Sequence, residues 1–350
     1  MDRERWRAFL YDMLLARAFE ERAAQAYSEG QIAGFLHLYP GEEAVAVGVI
    51  QAAEPSDYIV STYREHVHAL VRGIPARRVM AELFGRKDGV SGGMGGSMHL
   101  FDRERRFMGG YAIVGETFPI AVGVAYAVAY RRLPEAVICF FGDGAVNQGT
   151  FHESLNMAGL WKLPVLFVCE NNHYQIGTEI HRHSAVVDLY RRAAAYNIPA
   201  EQVDGMDVVA VYEASRKALE RVRAGEGPYF IEFETYRYRG HSMADPGVYR
   251  PPAEVNAFAA HDPVAAAIRA AEFRYPPREE LEAAGADSIS RHTRRGFAHG
   301  HLDEETVEAM RKQVETVVAD AVAFAQASPE PTMEDAWAAF LANRRDETLL

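Results

Sequence analysis

Two runs of consecutive apolar residues, Ala136-Val137-Ile138-Cys139-Phe140-Phe141 and Pro164-Val165-Leu166-Phe167-Val168-Cys169, constrain this chain more than any other feature. Neither run alternates polar with apolar positions, so each reads as a strand buried on both faces. The stretch between them accommodates a turn at Gly142-Asp143-Gly144 and a helix over residues 151–161. Two-faced strands joined through a helix predict an α/β fold: a parallel sheet covered by helices on both faces. An Ala- and Val-rich helix over residues 119–131 precedes the first strand, and Tyr229-Phe230-Ile231-Glu232-Phe233-Glu234 reads as a later strand of the same sheet.

Helical extensions are expected at both ends, residues 1–30 and 303–350, on a single domain spanning residues 1–350. Trp6, Leu10, Met13, Leu14 and Phe19 share one helical face, and Gly30 is a natural stop. Near the other end, Asp303 caps a helix over residues 304–326 that Ser328-Pro329-Glu330-Pro331 terminates. Residues 85–110 and 237–252 read as loops, the second rich enough in Arg, Gly and Pro to be mobile until a ligand orders it.

A hydrophobic content of 49% over 350 residues supports a large core. The 37 basic against 49 acidic residues give a net charge of −12, which argues against a nucleic-acid partner but leaves room for a local basic pocket. Two cysteines, Cys139 and Cys169, are too few for a disulfide framework or a thiolate zinc site, and imply a reducing compartment. The opening Met1-Asp2-Arg3-Glu4-Arg5 lacks the apolar core of a secretory signal. The longest strongly apolar run, residues 120–130, is shorter than the ~20 residues a membrane span needs. A cytoplasmic protein with no membrane partner is expected.

In open parallel sheets, ligands gather where loops leave the carboxyl ends of the strands. Asp143 follows the first apolar strand and Asn172 the second, at the distance of one strand-helix-strand return. One carboxylate, one amide oxygen and a backbone carbonyl make a sparse oxygen site suited to Mg²⁺, which completes its shell with phosphate oxygens. Two other readings stay open from these residues alone. Asp-Gly and Asn-Asn are common turn formers. A metal-dependent phosphohydrolase built on Asp143, Asn172 and His241 is the alternative enzyme class, although it requires more carboxylate or histidine ligands than the strand ends supply.

Gly142-Asp143-Gly144 followed at this distance by Asn171-Asn172 resembles the motif of thiamine diphosphate enzymes. The resemblance extends over residues 19–250 to the alpha subunit of the decarboxylating component of 2-oxo acid dehydrogenase complexes. It runs through Gly34-Phe35-Leu36-His37-Leu38-Tyr39, Ser61-Thr62-Tyr63-Arg64-Glu65-His66 and Gly95-Gly96-Ser97-Met98-His99. It continues through Asn156-Met157-Ala158-Gly159-Leu160-Trp161-Lys162-Leu163-Pro164 and Tyr236-Arg237-Tyr238-Arg239-Gly240-His241-Ser242.

The resemblance implies a thiamine diphosphate-binding fold of the diphosphate type. Asp143, Asn172 and the carbonyl of Tyr174 would hold Mg²⁺, and Gly144 and Ala145 would present backbone amides to the diphosphate. Tyr63, Arg64 and His241 match further cofactor contacts. His37 matches a substrate-side position, which makes His37 and His241 the candidate catalytic residues. Ala112 and Val114 match backbone contacts to the aminopyrimidine, with Ala112 standing where a glycine is common. The resemblance also implies a beta subunit bringing the carboxylate that activates the cofactor, an α₂β₂ heterotetramer, and a lipoyl-bearing dihydrolipoamide acyltransferase. Pyruvate is the expected 2-oxo acid; acetoin and branched-chain enzymes share several words. Residues 283–301 depart from the family and read as an insertion.

Overall fold

The computed structural model describes residues 1–272 and 302–345; the expected insertion at 283–301 lies outside them. Six parallel strands form the main sheet. They are β1 (Tyr58–Thr62), β2 (Phe107–Tyr111), β3 (Val137–Gly142), β4 (Val165–Asn171) and, after a short hairpin of β5 (Tyr174–Gln175) and β6 (Thr178–Glu179), β7 (Ala200–Asp204) and β8 (Tyr229–Glu234). Their order is β2-β1-β3-β4-β8-β7, so the two apolar strands lie side by side at the centre.

The helices are α1 (Arg3–Ser28), α2 (Glu43–Ala52), α3 (His66–Val71), α4 (Ala76–Leu83), α5 (Thr117–Arg131) and α6 (Gly149–Trp161). After them come α7 (Ile180–His183), α8 (Val208–Arg223), α9 (Pro252–Ala259), α10 (Pro263–Glu272), α11 (Glu304–Ala327) and α12 (Met333–Arg345). Consecutive residues of β3 enter opposite cores. Ile138 and Phe140 pack with α1, α2, α4, α8 and α11, whereas Val137, Cys139 and Phe141 pack with α5 and α6. Burying such side chains from water stabilises the fold by roughly 1.5–3 kcal/mol each, so both faces of the strand are committed to the interior. Both cysteines are free and buried.

Both terminal helices form as the sequence predicts. Asp2 and Asp303 cap α1 and α11 by accepting from the backbone amides of Arg5 and Thr306, each at 2.8 Å. Strands β1, β2 and β7 were not among the expected elements. In particular, β2 occupies the end of the stretch read as a loop over 85–110. Each lacks the apolar run that identifies its neighbours: Phe107-Met108-Gly109-Gly110-Tyr111 carries two glycines, and Ala200-Glu201-Gln202-Val203-Asp204 is a half-exposed edge strand. Pairing with a buried neighbour, rather than local propensity, makes β2 and β7 strands, whereas Tyr58-Ile59-Val60-Ser61-Thr62 of β1 carries its own β-branched and aromatic strand signal in a run too short to stand out.

The close approach of α2 to α8 depends on Gly48. A Cβ there would lie 2.6 Å from Cγ1 and 2.7 Å from Cβ of Val211. Gly48→Val is therefore expected to destabilise the protein by about 1–3 kcal/mol through overpacking, measured as a shift of the urea unfolding midpoint. An unchanged midpoint would mean that the two helices separate freely.

Candidate active site

Strands β3 and β4 pair in parallel with Gly142 opposite Glu170, so the chain leaves both strands at the same end of the sheet. A cavity of about 420 Å³ opens there. All eleven side chains or backbone positions singled out from the sequence line it: His37, Tyr63, Arg64, Ala112, Val114, Asp143, Gly144, Ala145, Asn172, Tyr174 and His241. Asp143 and Asn172 are both buried at its floor. Gly144 is held to glycine by a close approach, since a Cβ would meet Cγ of Gln175 at 2.6 Å.

Asn171 and Asn172 part company. Asn171 donates to Glu232 at 2.7 Å and to Glu234 at 2.8 Å, a structural role at the end of the sheet. Asn172 donates through Nδ2 to Glu42 at 3.1 Å. The Tyr174 amide approaches its Oδ1 at 3.4 Å, so the amide oxygen faces the Tyr174 turn. The Tyr174 carbonyl accepts from Arg237 Nη1 at 3.1 Å. A carbonyl oxygen has two lone pairs, which leaves one for a cation.

Arg64 is a buried residue, not a surface ion-pair partner. Its Nη1 donates to the Leu38 carbonyl at 2.5 Å and its Nη2 to the His241 carbonyl at 2.9 Å, and Nε lies 3.9 Å from Glu42 Oε1. One guanidinium thus ties the His37 segment to the His241 loop. The two imidazoles meet edge to face with ring centroids 5.0 Å apart, and the Tyr63 ring lies tilted at 4.5 Å from His37. Nδ1 of His37 and of His241 are buried without a hydrogen-bond partner, as is Glu42 Oε1. Buried polar atoms without partners are rare, and three around one cavity are the mark of a site that receives a polar ligand. Burial, reinforced by the Arg64 charge, pushes His37 down to about 2 and His241 down to about 3. Both rings are therefore neutral near pH 7. Burial pushes the Glu42 carboxyl up to about 8, against the opposing pull of Arg64.

Residues 237–252, expected to be a mobile loop, are stapled internally. Asp245 accepts from the His241 amide at 2.6 Å, the Gly247 amide at 2.9 Å and the Tyr249 hydroxyl at 2.7 Å. Arg250 donates to the carbonyls of Arg237, Tyr238 and Arg239. Beneath the cavity, Glu170 accepts from Tyr39 and pairs with His68 at 3.0 Å, and His68 in turn meets Ser61 at 2.9 Å. His66 is likewise a satisfied core histidine, between Glu20 at 3.0 Å and Ser97 at 2.9 Å.

Sequence reading overlooked Glu42, Glu170 and Arg237, which line the cavity, and the contact of His183 with Asp143. Their signals were position in or near the matched words: Arg237 lies within Tyr236-Arg237-Tyr238-Arg239-Gly240-His241-Ser242, Glu170 directly precedes Asn171, and Glu42 stands three residues after Tyr39. Among the described residues no group of three or more His, Cys, Asp or Glu is arranged to hold a metal ion.

The family model described as dehydrogenase E1 component matches residues 11–271. The chain is 50% identical over 260 residues to the pyruvate dehydrogenase E1 component subunit alpha of Porphyra purpurea, covering 72% of this chain and 76% of that protein. It is 45% identical over 325 residues to the Rhizobium meliloti (strain 1021) protein of the same name, covering 93% and 86%. The Zymomonas mobilis protein of that name is 51% identical over 265 residues, covering 75% of each chain.

The depressed histidines predict acid sensitivity. In the unfolded chain each imidazole binds a proton as pH falls through its ordinary value of 6.5, whereas in the folded protein it does so only near 2 or 3. Their contribution to stability is complete above about pH 6.5 and is lost as pH falls toward 3. The double variant His37→Gln/His241→Gln is expected to show a shallower fall of melting temperature between about pH 6.5 and pH 4. An unchanged slope would assign the acid sensitivity to other groups.

Proposed function

The chain belongs to the dehydrogenase E1 component family, and from that premise we propose that it is the alpha subunit of pyruvate dehydrogenase, acetyl-transferring. It would decarboxylate pyruvate with thiamine diphosphate and Mg²⁺ and pass the two-carbon unit to the lipoyl group of a dihydrolipoamide acyltransferase. The observation that carries the proposal is the convergence of all eleven motif-derived residues on one cavity at the ends of β3 and β4. The pyruvate dehydrogenase names of the relatives favour pyruvate over acetoin or a branched-chain acid.

The donor set fits the cofactor. Asp143, the Asn172 amide oxygen and the Tyr174 carbonyl offer hard oxygen ligands to Mg²⁺. Gly144 and Ala145 stand in the turn that follows β3, where their backbone amides would meet phosphate oxygens, and Tyr63 and Arg64 line the same cavity. Thiamine diphosphate, when bound, supplies the nucleophile and the electron sink for decarboxylation. The protein's own task is to orient and to exclude water. The neutral rings of His37 and His241 can donate or accept a hydrogen bond at Nδ1 without bringing a charge to the site. The turn at residues 112–115 is pinned from behind, where Thr150 Oγ1 donates to the Gly115 carbonyl at 2.9 Å.

The cavity is incomplete on its open side. Phe35, Ile113 and Ile176 line it while remaining 61%, 68% and 61% exposed. Large apolar side chains grouped around a polar cavity favour a protein surface closing over them. That supports a beta subunit, in an α₂β₂ assembly, bringing the missing carboxylate. A cytoplasmic location is proposed from the free, buried Cys139 and Cys169. No helix among the described residues is long and apolar enough to cross a membrane.

Two measurements test this reading. The purified chain is expected to be inactive alone and to decarboxylate pyruvate, with an artificial electron acceptor, only beside a beta subunit; turnover by the lone chain would overturn the shared site. Ile113→Asp is expected to weaken that association by about tenfold or more, read by analytical ultracentrifugation, while leaving the melting temperature of the chain unchanged.

A further inference from the structure

We propose that His183, a residue outside every matched motif, is a positioning residue that holds Asp143 in the orientation needed to bind the divalent cation. The inference deepens the proposed function and rests on its reading of Asp143 as a cation ligand.

His183 closes α7, which Ile180 anchors in the core. The pair His181/His183 is split by the fold. The His181 side chain is 67% exposed and turns to Glu179, whereas that of His183 is 7% exposed, with Nε2 at 3.1 Å from Asp143 Oδ2.

The tautomer follows from the hydrogen bonds on the far side of the ring. Asn147 Oδ1 accepts from Arg192 Nη1 at 2.9 Å, so the amide nitrogen is the atom directed at His183. That nitrogen lies 3.2 Å from the His183 carbonyl oxygen and 3.2 Å from Nδ1. With a donor opposite Nδ1, that atom is the acceptor, and the ring proton resides on Nε2, directed at Asp143. The Ser184 hydroxyl also reaches Nδ1, at 3.0 Å.

Arg192, Asn147, His183 and Asp143 thus form one chain of hydrogen bonds ending on a single carboxylate oxygen. Three consequences follow. Oδ2 is fixed, and the carboxylate plane with it. Oδ1 is left to a cation. An N–H donor at Oδ2 orients the carboxylate from outside the ion's own contacts. The tautomer also excludes His183 itself from ligating the ion, because both ring nitrogens are engaged. Hydrogen bonds that orient a ligating group from outside the metal's own contacts typically account for 10–100-fold in metal affinity.

The test uses the full chain assembled with its beta subunit at saturating thiamine diphosphate. Mn²⁺ is the probe, and its free concentration is followed by electron paramagnetic resonance. His183→Leu is expected to raise the Mn²⁺ dissociation constant about tenfold or more, and His183→Gln, whose amide N–H can reach the position of Nε2, to restore it to within about threefold of wild type. Wild-type affinity in His183→Leu, or a His183→Gln variant as weak as His183→Leu, overturns the inference. Asn147→Ala leaves His183 in place but frees its ring. It is expected to weaken Mn²⁺ binding in the same direction, and wild-type affinity there counts against the inference even if His183→Leu fails to fold. Asp143→Ala separates the two levels. Undiminished Mn²⁺ binding in that variant overturns the ligand reading itself. Lost binding there with wild-type binding in His183→Leu overturns only the role of His183.

Discussion

The parallel pairing of β3 with β4 is the constraint on which the remaining structure depends. Six consecutive residue pairs, from Val137 with Val165 to Gly142 with Glu170, lock the two strands in register. Side chains of both strands enter cores on both faces, so a one-residue slip would exchange every one of them between cores. A register held this firmly places the turn after Gly142 beside the turn after Asn171 without help from either turn. Asp143 and Asn172 are neighbours because Cys139 and Phe167 are.

Around that pair the protein assembles an unusual balance of buried charge. Arg64 and Arg237 are almost wholly buried, as are Glu42, Glu170 and Asp143, and each is tied to backbone or side-chain partners. Buried ions are costly unless paired and hydrogen-bonded, and here both guanidiniums are spent mainly on carbonyl oxygens. Arg64 holds the His37 and His241 segments together; Arg237 holds the Tyr174–Ile176 turn. Positive charge so placed favours an anionic ligand in the cavity and keeps the two histidines neutral, which suits a diphosphate at one end and a proton-handling surface beside it.

The polar network below the cavity gives the site its rigidity. Tyr39, His68, Glu170 and Ser61 bond to one another where the sheet, α3 and the His37 segment meet. Such networks specify one arrangement when every member is satisfied. The open rim, in contrast, carries apolar side chains facing outward, and its completion falls to a second polypeptide in the proposed assembly.

Much of this was legible from residue order. The two apolar runs disclosed the parallel sheet, the stop at Gly30 and the cap at Asp303 marked ends of the terminal helices, and the motif words supplied eleven positions that line the cavity. Local patterning sufficed there because a strand buried on both faces leaves an unbroken apolar signature. Strands β2 and β7 left no such signature, since Gly109, Gly110 and the polar residues of β7 become strands only by pairing with a buried neighbour, and the apolar run of β1 is only three residues long. The partners of Glu42, Arg237 and His183 were equally invisible, because they join residues from about 40 to 130 positions apart through contacts that exist only once the sheet has brought distant loops together. Sequence by itself determined the sheet, its buried strands and the kind of ligand its loops could meet. Tertiary structure alone decided which carboxylates and imidazoles face one another, because side-chain geometry across loops depends on the packed register beneath them.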